Sequence, residues 1–98
     1  MKDEMPGPAS PVERKFTVIN KLGLHARPAA LFVQTANRFS CDVTVKKGRE
    51  KVNGKSIMGI MTLAVQQGAV ITIRTEGPEA QIAMDELARL IESKFGEE

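Results

Sequence analysis

The chain has 98 residues, of which 42% are hydrophobic and 27% are charged, and its formal net charge at pH 7 is +2. This length suits one compact domain, and the composition is not that of a disordered chain. The net charge is small and evenly spread along the sequence, so it does not indicate a basic surface for binding nucleic acid or an anionic membrane. A domain this small has little room for a deep cavity beside its core, so we expect a surface site.

The cysteine content and the hydropathy pattern exclude further classes of protein. Cys41 is the only cysteine, which rules out an intrachain disulfide and a cluster of thiolate metal ligands. No apolar run resembles a signal peptide or approaches the roughly 20 residues of a membrane span. We therefore expect a cytoplasmic protein that is not inserted in a membrane and has no metal and no cofactor.

The N-terminal third predicts a leader, a strand and a helix. Residues 1–14 carry prolines and mixed charges but little apolar surface, so we predict a flexible leader and assign the folded domain to residues 15–98. The alternating, β-branched residues 16–19 predict a strand. Between residues 29 and 39, apolar side chains recur at intervals of three and four positions, which predicts an amphipathic helix.

The remainder predicts three strands and two helices. Residues 42–46 and 50–53 predict a hairpin, and residues 70–75 predict a further strand. Residues 56–63 predict a short helix that opens on a serine, and residues 80–91 predict a longer helix. The order strand, helix, strand, strand, helix, strand, helix is typical of an α+β domain. Its helices are expected on one face of an antiparallel sheet.

His25 is the only histidine, and it lies where a loop meets the first predicted helix. The free N–H groups of a helix N-terminus favour an anion there, Arg27 adds a planar cation, and Pro28 stiffens the first turn. Neutral imidazole is a nucleophile near pH 7 and can release an attached phosphoryl group again. A histidine that merely caps the helix is the more common explanation, and the residues alone leave both open. A metal site at His25 is not supported, because a single histidine with no cysteine or second histidine nearby supplies too few ligands.

The second predicted helix is more apolar than a short surface helix requires. Ser56 is placed to cap it, and the residues that follow are mainly isoleucine and methionine. Some of these side chains should be exposed and could form a docking patch, because thioethers adapt to varied partner surfaces. Burial in the core is the alternative, with more weight for Ile60 and Leu63 than for Met58.

Two segments resemble one family. Residues 23–29, Gly-Leu-His-Ala-Arg-Pro-Ala, resemble the active-site signature of the HPr family, the histidine-containing phosphocarriers of bacterial phosphoenolpyruvate-dependent sugar phosphotransferase systems. Residues 55–63 resemble its regulatory serine segment, and both segments sit at the family's spacing. The similarity runs from about Phe16 to Phe95. It implies an open-faced β-sandwich, a four-stranded antiparallel sheet with three helices on one face, and it makes the capping histidine a minor alternative.

The resemblance also implies roles for individual residues. His25 would accept a phosphoryl group on Nδ1 from enzyme I and pass it to sugar-specific IIA domains, with Arg27 assisting. The protein would then be a phosphoryl carrier rather than an enzyme with its own turnover. Ser56 would be a regulatory phosphorylation site. The loop and helix start at Ala26 and Pro28 would stabilise the phosphate, and Leu24, Ile57, Met58 and Met61 would contact partners.

Two ways of working remain open. In the first, a monomeric carrier serves enzyme I and IIA domains, and HPr kinase/phosphorylase and a transcriptional regulator are further partners. In the second, a regulatory paralogue acts mainly by binding transcriptional or metabolic proteins. A purely regulatory protein has no need of His25, so its presence with Arg27 favours the carrier. The leader before Lys15 is longer than members of the family usually carry.

Overall fold

The computed structural model describes residues 11–97. Four strands form one sheet in the order β1-β4-β2-β3, and every neighbouring pair of strands is antiparallel. The strands are Val12–Thr17 (β1), Asp42–Lys47 (β2), Glu50–Asn53 (β3) and Val70–Glu76 (β4), and the helices are Ala26–Ala36 (α1), Ile57–Thr62 (α2) and Ala80–Glu92 (α3). The predicted α+β class and the open-faced four-stranded sandwich with three helices are confirmed.

Alternation along the strands decides which face of the sheet is covered. Val43 and Val45 of β2 and Ile71 and Ile73 of β4 are buried, whereas Arg74, between two inward positions of β4, is exposed. Successive side chains of a strand point to opposite faces, so one face of the sheet is apolar and the other meets solvent. The helices cover the apolar face.

The helices contribute the other half of the core through apolar stripes. In α1, Ala29, Phe32 and Ala36 are fully buried, and they recur at intervals of three and four residues. In α3, Met84 and Leu87 are fully buried on the same kind of stripe. These side chains pack on the inner face of the sheet in a single cluster.

Strand β1 begins earlier than the sequence predicted. Val12 pairs with Thr75 and Arg14 with Ile73, so residues 12–14 belong to the sheet and not to a leader. Val12 also packs against the core. The prediction was wrong here because backbone pairing with β4 does not require an apolar side chain at every position. The rest of the predicted leader, residues 1–10, lies outside the described residues.

Two side chains tie the end of α1 to the beginning of α2. The Asn37 Nδ2 donates to the carbonyl oxygens of Val33, at 2.9 Å, and of Lys55, at 3.2 Å. The Lys55 Nζ donates to the Phe39 carbonyl oxygen at 2.7 Å. These bonds fix the residue before Ser56 against the first helix. No helix in the described part of the chain is long and apolar enough to cross a membrane.

Candidate functional site

His25 occupies the N-cap position of α1. Its backbone is extended, with φ −75° and ψ −171°, and its carbonyl oxygen accepts from the Ala29 N–H at 2.9 Å. The imidazole makes no capping hydrogen bond, and 37% of the side chain is exposed. An ordinary N-cap side chain binds a free N–H of the first turn. The ring of His25 does not do so, which weakens the capping explanation.

The start of α1 is built to meet an anion at this ring. Ala26 and Arg27 are the first two helical residues, and their N–H groups lack intrahelical partners. Pro28 is buried in the third position and has no N–H to leave unpaired. The Arg27 side chain is exposed. Two backbone donors, the helix dipole and one guanidinium can therefore share an anion beside His25.

A tight loop before His25 sets the orientation of the Leu24 side chain. Asn20 and Gly23 close the loop, because the Gly23 N–H donates to the Asn20 carbonyl oxygen at 3.0 Å and the Asn20 Nδ2 donates back to the Gly23 carbonyl oxygen at 2.7 Å. The Leu24 N–H donates to the Val65 carbonyl oxygen at 2.9 Å. This pairing places the Leu24 side chain in the core, where 4% of it is exposed.

The prediction that Leu24 contacts partners is therefore wrong. A side chain packed in the core presents no surface to another protein, and its burial follows from the backbone bond to Val65. The exposed apolar side chain of this loop is Leu22, which is 69% exposed. The alternation of Leu22 and Leu24 around Gly23 gave no indication of which one points outward.

The C-terminal turn adds a carboxylate that sequence reasoning missed. After α3, residues 94–96 form a single 3₁₀ turn, and Glu97 follows it. The Glu97 Oε2 lies 3.0 Å from the His25 Nε2, and its Oε1 accepts from the Asn20 Nδ2 at 3.0 Å. His25 and Glu97 are 72 positions apart, so no local pattern could indicate this contact.

The Ser56 segment has the geometry predicted for a capped helix. Ser56 is the N-cap of α2, and its Oγ accepts from the Gly59 N–H at 3.1 Å. Ile60 and Leu63, for which the sequence left burial and exposure open, are buried. The three residues of this helix that were predicted to contact partners are exposed, at 40% for Ile57, 68% for Met58 and 43% for Met61. Helix α2 packs against α1, the helix that begins at His25.

Other chemistry-bearing groups in the described part of the chain do not form a competing site. Within residues 11–97, no group of three or more His, Cys, Asp or Glu side chains is arranged to hold a metal ion. Cys41 is partly buried, and desolvation raises the pKa of its thiol above the ordinary value, although Lys55 opposes this. A thiol with a raised pKa is a poor nucleophile at neutral pH. His25 thus remains the strongest nucleophile candidate.

Comparison with known proteins identifies the family. A family model described as "PTS HPr component phosphorylation site" matches residues 12–93. The phosphocarrier protein HPr of Xylella fastidiosa is 50% identical over 88 residues, which are 89% of this chain and 98% of that one. The HPr-like protein Crh of Halalkalibacterium halodurans is 52% identical over 83 residues, 85% of this chain and 99% of that one.

Solved structures of HPr and of Crh are similar to this chain in fold and sequence. A crystal structure of HPr from Thermoanaerobacter tengcongensis has a TM-score of 0.87 and 56% identity, covering 89% of this chain and 98% of that one. Crh from Bacillus subtilis, with a TM-score of 0.69 and 49% identity over 85% of this chain and 95% of that one, is a dimer with a swapped domain. The monomer expected from the sequence stays a prediction for this chain. With the family model spanning residues 12–93, the chain belongs to the HPr family of phosphocarrier proteins.

Proposed function

We propose that the chain is a phosphoryl carrier in which His25 accepts a phosphoryl group from enzyme I and donates it to sugar-specific IIA domains in the cytoplasm. The observation that carries this proposal is the state of the His25 ring. It is half-exposed at the start of α1, it makes no capping hydrogen bond, and its Nε2 is engaged by Glu97. Nδ1 is therefore the nitrogen open to a phosphoryl donor.

The transfer needs only the groups around this ring. The Nδ1 lone pair forms a bond to phosphorus, while the bond from phosphorus to the donor atom breaks and its electron pair stays on the donor. The phosphoryl oxygens then face the N–H groups of Ala26 and Arg27 and the Arg27 guanidinium. Donation reverses these steps, because the nitrogen leaves readily when the ring carries a positive charge. The same donors serve both directions.

Labelling tests the proposal directly. The protein is incubated with labelled phosphoenolpyruvate and a bacterial enzyme I, and the label should be acid-labile and base-stable, as a phosphohistidine is. His25→Ala should remove all labelling and leave the melting temperature nearly unchanged, because a half-exposed loop residue contributes little to the core. Ser56→Ala is the matched control and should be labelled normally. Equal labelling of the His25 variant and the wild type would refute the proposal.

Ser56 is proposed as a regulatory site that acts on docking. A phosphate there adds about −1.5 to −2 charges at pH 7, next to the exposed Ile57, Met58 and Met61. A partner that covers this apolar patch would have to desolvate that charge. HPr kinase/phosphorylase is the proposed modifying enzyme.

A regulatory role through binding is the second candidate, and the similarity to Crh of Bacillus subtilis, described as a catabolite repression HPr, favours it. In this alternative, the Ser56-phosphorylated form binds a transcriptional regulator or a metabolic enzyme and phosphoryl transfer through His25 is secondary. The labelling experiment separates the two candidates. A protein that acts only by binding would accept no label from enzyme I.

A further inference from the structure

The end of the chain takes part in the His25 site. We propose that Glu97 is a positioning residue for His25, whose carboxylate, held by Asn20, keeps the imidazole proton on Nε2 and leaves the lone pair on Nδ1. This inference rests on the proposed carrier function, in which Nδ1 is the nucleophile. It adds two residues, Asn20 and Glu97, that lie outside the motif around His25.

The hydrogen-bond chemistry of the three side chains decides the tautomer. An ionised carboxylate only accepts hydrogen bonds, so the 3.0 Å contact with Glu97 Oε2 requires a proton on the His25 Nε2. The other carboxylate oxygen accepts from the Asn20 Nδ2, which also donates to the Gly23 carbonyl oxygen. The carboxylate is thus held at both oxygens. A neutral ring that donates from Nε2 has its lone pair on Nδ1.

The Gly23 carbonyl oxygen and the Glu97 carboxylate fix the orientation of the Asn20 amide, and this leaves the amide oxygen unpaired in the described part of the chain. Asn20 is 1% exposed, and its Oδ1 finds no hydrogen-bond donor among the described residues. If the Asn20 amide were flipped, its Oδ1 would face the oxygens of Gly23 and Glu97, which are acceptors. The two hydrogen bonds donated by Nδ2 would then be lost. A buried polar atom without a partner is unfavourable and calls for an explanation. The need to hold Glu97 and the loop before His25 provides one.

The backbone of the C-terminal turn is strained in the place that delivers Glu97. Lys94 and Phe95 have φ values of 57° and 56°, in the left-handed region that residues with a side chain rarely adopt. Phe95 anchors this turn in the core, where 4% of it is exposed. Glu97 directly follows this anchored turn, so the turn fixes where Glu97 lies relative to His25. Strain that surrounds a functional group and is held by packing is a recognised feature of active sites.

The carboxylate also matches the charge that transfer creates. When Nδ1 binds phosphorus and Nε2 keeps its proton, the ring becomes a cation. The Glu97 side chain is only 20% exposed and its Oε2 already contacts Nε2, so its negative charge faces this cation with limited solvent screening. The same contact therefore orients the neutral ring before transfer and stabilises the charged ring after it.

Glu97→Gln provides a sharp test, because Gln keeps the shape and removes the charge. Its amide oxygen can satisfy only one of the two donors. Asn20 is 1% exposed, and leaving its buried NH₂ group without this acceptor would be costly, so the oxygen should face Asn20 and the NH₂ group should face His25. An NH₂ group donates to a lone pair, so this variant favours the opposite tautomer, with the proton on Nδ1. Glu97→Ala should instead give the ordinary mixture of a free imidazole.

The first measurement is the tautomer of the full-length, unphosphorylated protein. Long-range ¹H–¹⁵N NMR at about pH 8.5, well above the ordinary pKa of histidine, distinguishes the two neutral forms. We expect the Nε2–H form alone in the wild type and a substantial Nδ1–H population in Glu97→Gln. The second measurement is the initial rate of His25 phosphorylation by enzyme I, which should fall by about tenfold or more in this variant.

Glu76→Gln is the matched control. It makes the same change in net charge at the last residue of β4, a partly exposed carboxylate that pairs with Arg74 rather than with His25. Both readouts should stay at the wild-type values in this control, and all variants should share one melting temperature within about 2 °C, a shift too small to reflect a lost core contact. A wild-type tautomer ratio or a wild-type rate in Glu97→Gln would overturn the inference.

The two proposals fail separately. If the wild type accepts no phosphate from enzyme I, the carrier function is wrong, whereas the NMR comparison still decides whether Glu97 sets the His25 tautomer. If the wild type is phosphorylated and Glu97→Gln is phosphorylated as fast, the carrier function stands and the positioning role is wrong.

Discussion

Gly23 is the residue whose replacement should most directly disturb the loop before His25. Its φ is +66°, and a Cβ added there would lie 2.3 Å from the Val65 carbonyl oxygen and 2.8 Å from the Gln66 Cα. Both atoms are backbone, so no side-chain rotation can relieve the clash. The same Val65 oxygen accepts from the Leu24 N–H at 2.9 Å. Gly23→Ala must therefore push the loop away from the segment that holds it.

The size of the effect follows from two contributions. A left-handed conformation costs a residue with a side chain roughly 1–2 kcal/mol, and loss of the Leu24–Val65 hydrogen bond costs about 0.5–1.5 kcal/mol more. Gly48→Ala supplies the comparison, because Gly48 has a φ of +60° and nothing within 4 Å of an added Cβ. It carries the conformational cost alone. We expect Gly23→Ala to lose about 1.5–3.5 kcal/mol of unfolding free energy and Gly48→Ala about 1–2 kcal/mol.

Equilibrium urea denaturation of both variants measures the difference. With a slope of about 1–3 kcal/mol per molar, a difference of about 1 kcal/mol shifts the midpoint measurably. Phosphorylation of His25 should also slow in Gly23→Ala and stay unchanged in Gly48→Ala. Equal destabilisation of the two variants would show that the approach to Val65 is not a constraint and would refute the reasoning.

Four further outcomes are expected. Arg27→Lys keeps the charge but loses the planar fork, so phosphoryl transfer should slow without stopping, and unchanged initial rates in both directions would remove Arg27 from the site. Ser56→Asp should slow phosphorylation by enzyme I at an unchanged melting temperature, and wild-type rates would leave Ser56 as a helix cap only. Phe95→Ala should lower the unfolding free energy by about 3–5 kcal/mol in urea titrations, and a loss below about 1 kcal/mol would contradict its anchoring role. Deleting residues 1–14 removes half of β1 and should lower the melting temperature by more than deleting residues 1–10; equal melting temperatures would contradict this.

Much of the fold was predictable because it depends on local patterns. The alternation of Val43 and Val45 with polar residues predicted β2, and the spacing of Ala29, Phe32 and Ala36 predicted the inner face of α1. Residues 50–53 were predicted as the hairpin partner of β2, and in the structure β2 and β3 pair as antiparallel neighbours. In each case a few adjacent residues carry both the signal and its physical cause.

Two predictions were wrong, the start of β1 and the orientation of the Leu24 side chain. Both features depend on partners elsewhere in the chain. Val12 extends β1 because Thr75 offers a backbone partner, and its own surroundings in the sequence contain no strand pattern. Leu24 turns inward because its N–H meets the carbonyl of Val65, whereas Leu22 stays outside. A sequence pattern reports what a residue prefers. It does not report which distant backbone group will be within hydrogen-bonding distance.

The site divides in the same way. The sequence by itself determined that His25 precedes a helix with Arg27 and Pro28 in its first turn, because a loop-to-helix junction and its free N–H groups are local features. Only the tertiary structure decided that Glu97, held by Asn20, contacts this ring. That contact joins segments 72 positions apart, and it exists because burial of Phe95 in the shared core outweighs the strain of the turn that carries Glu97.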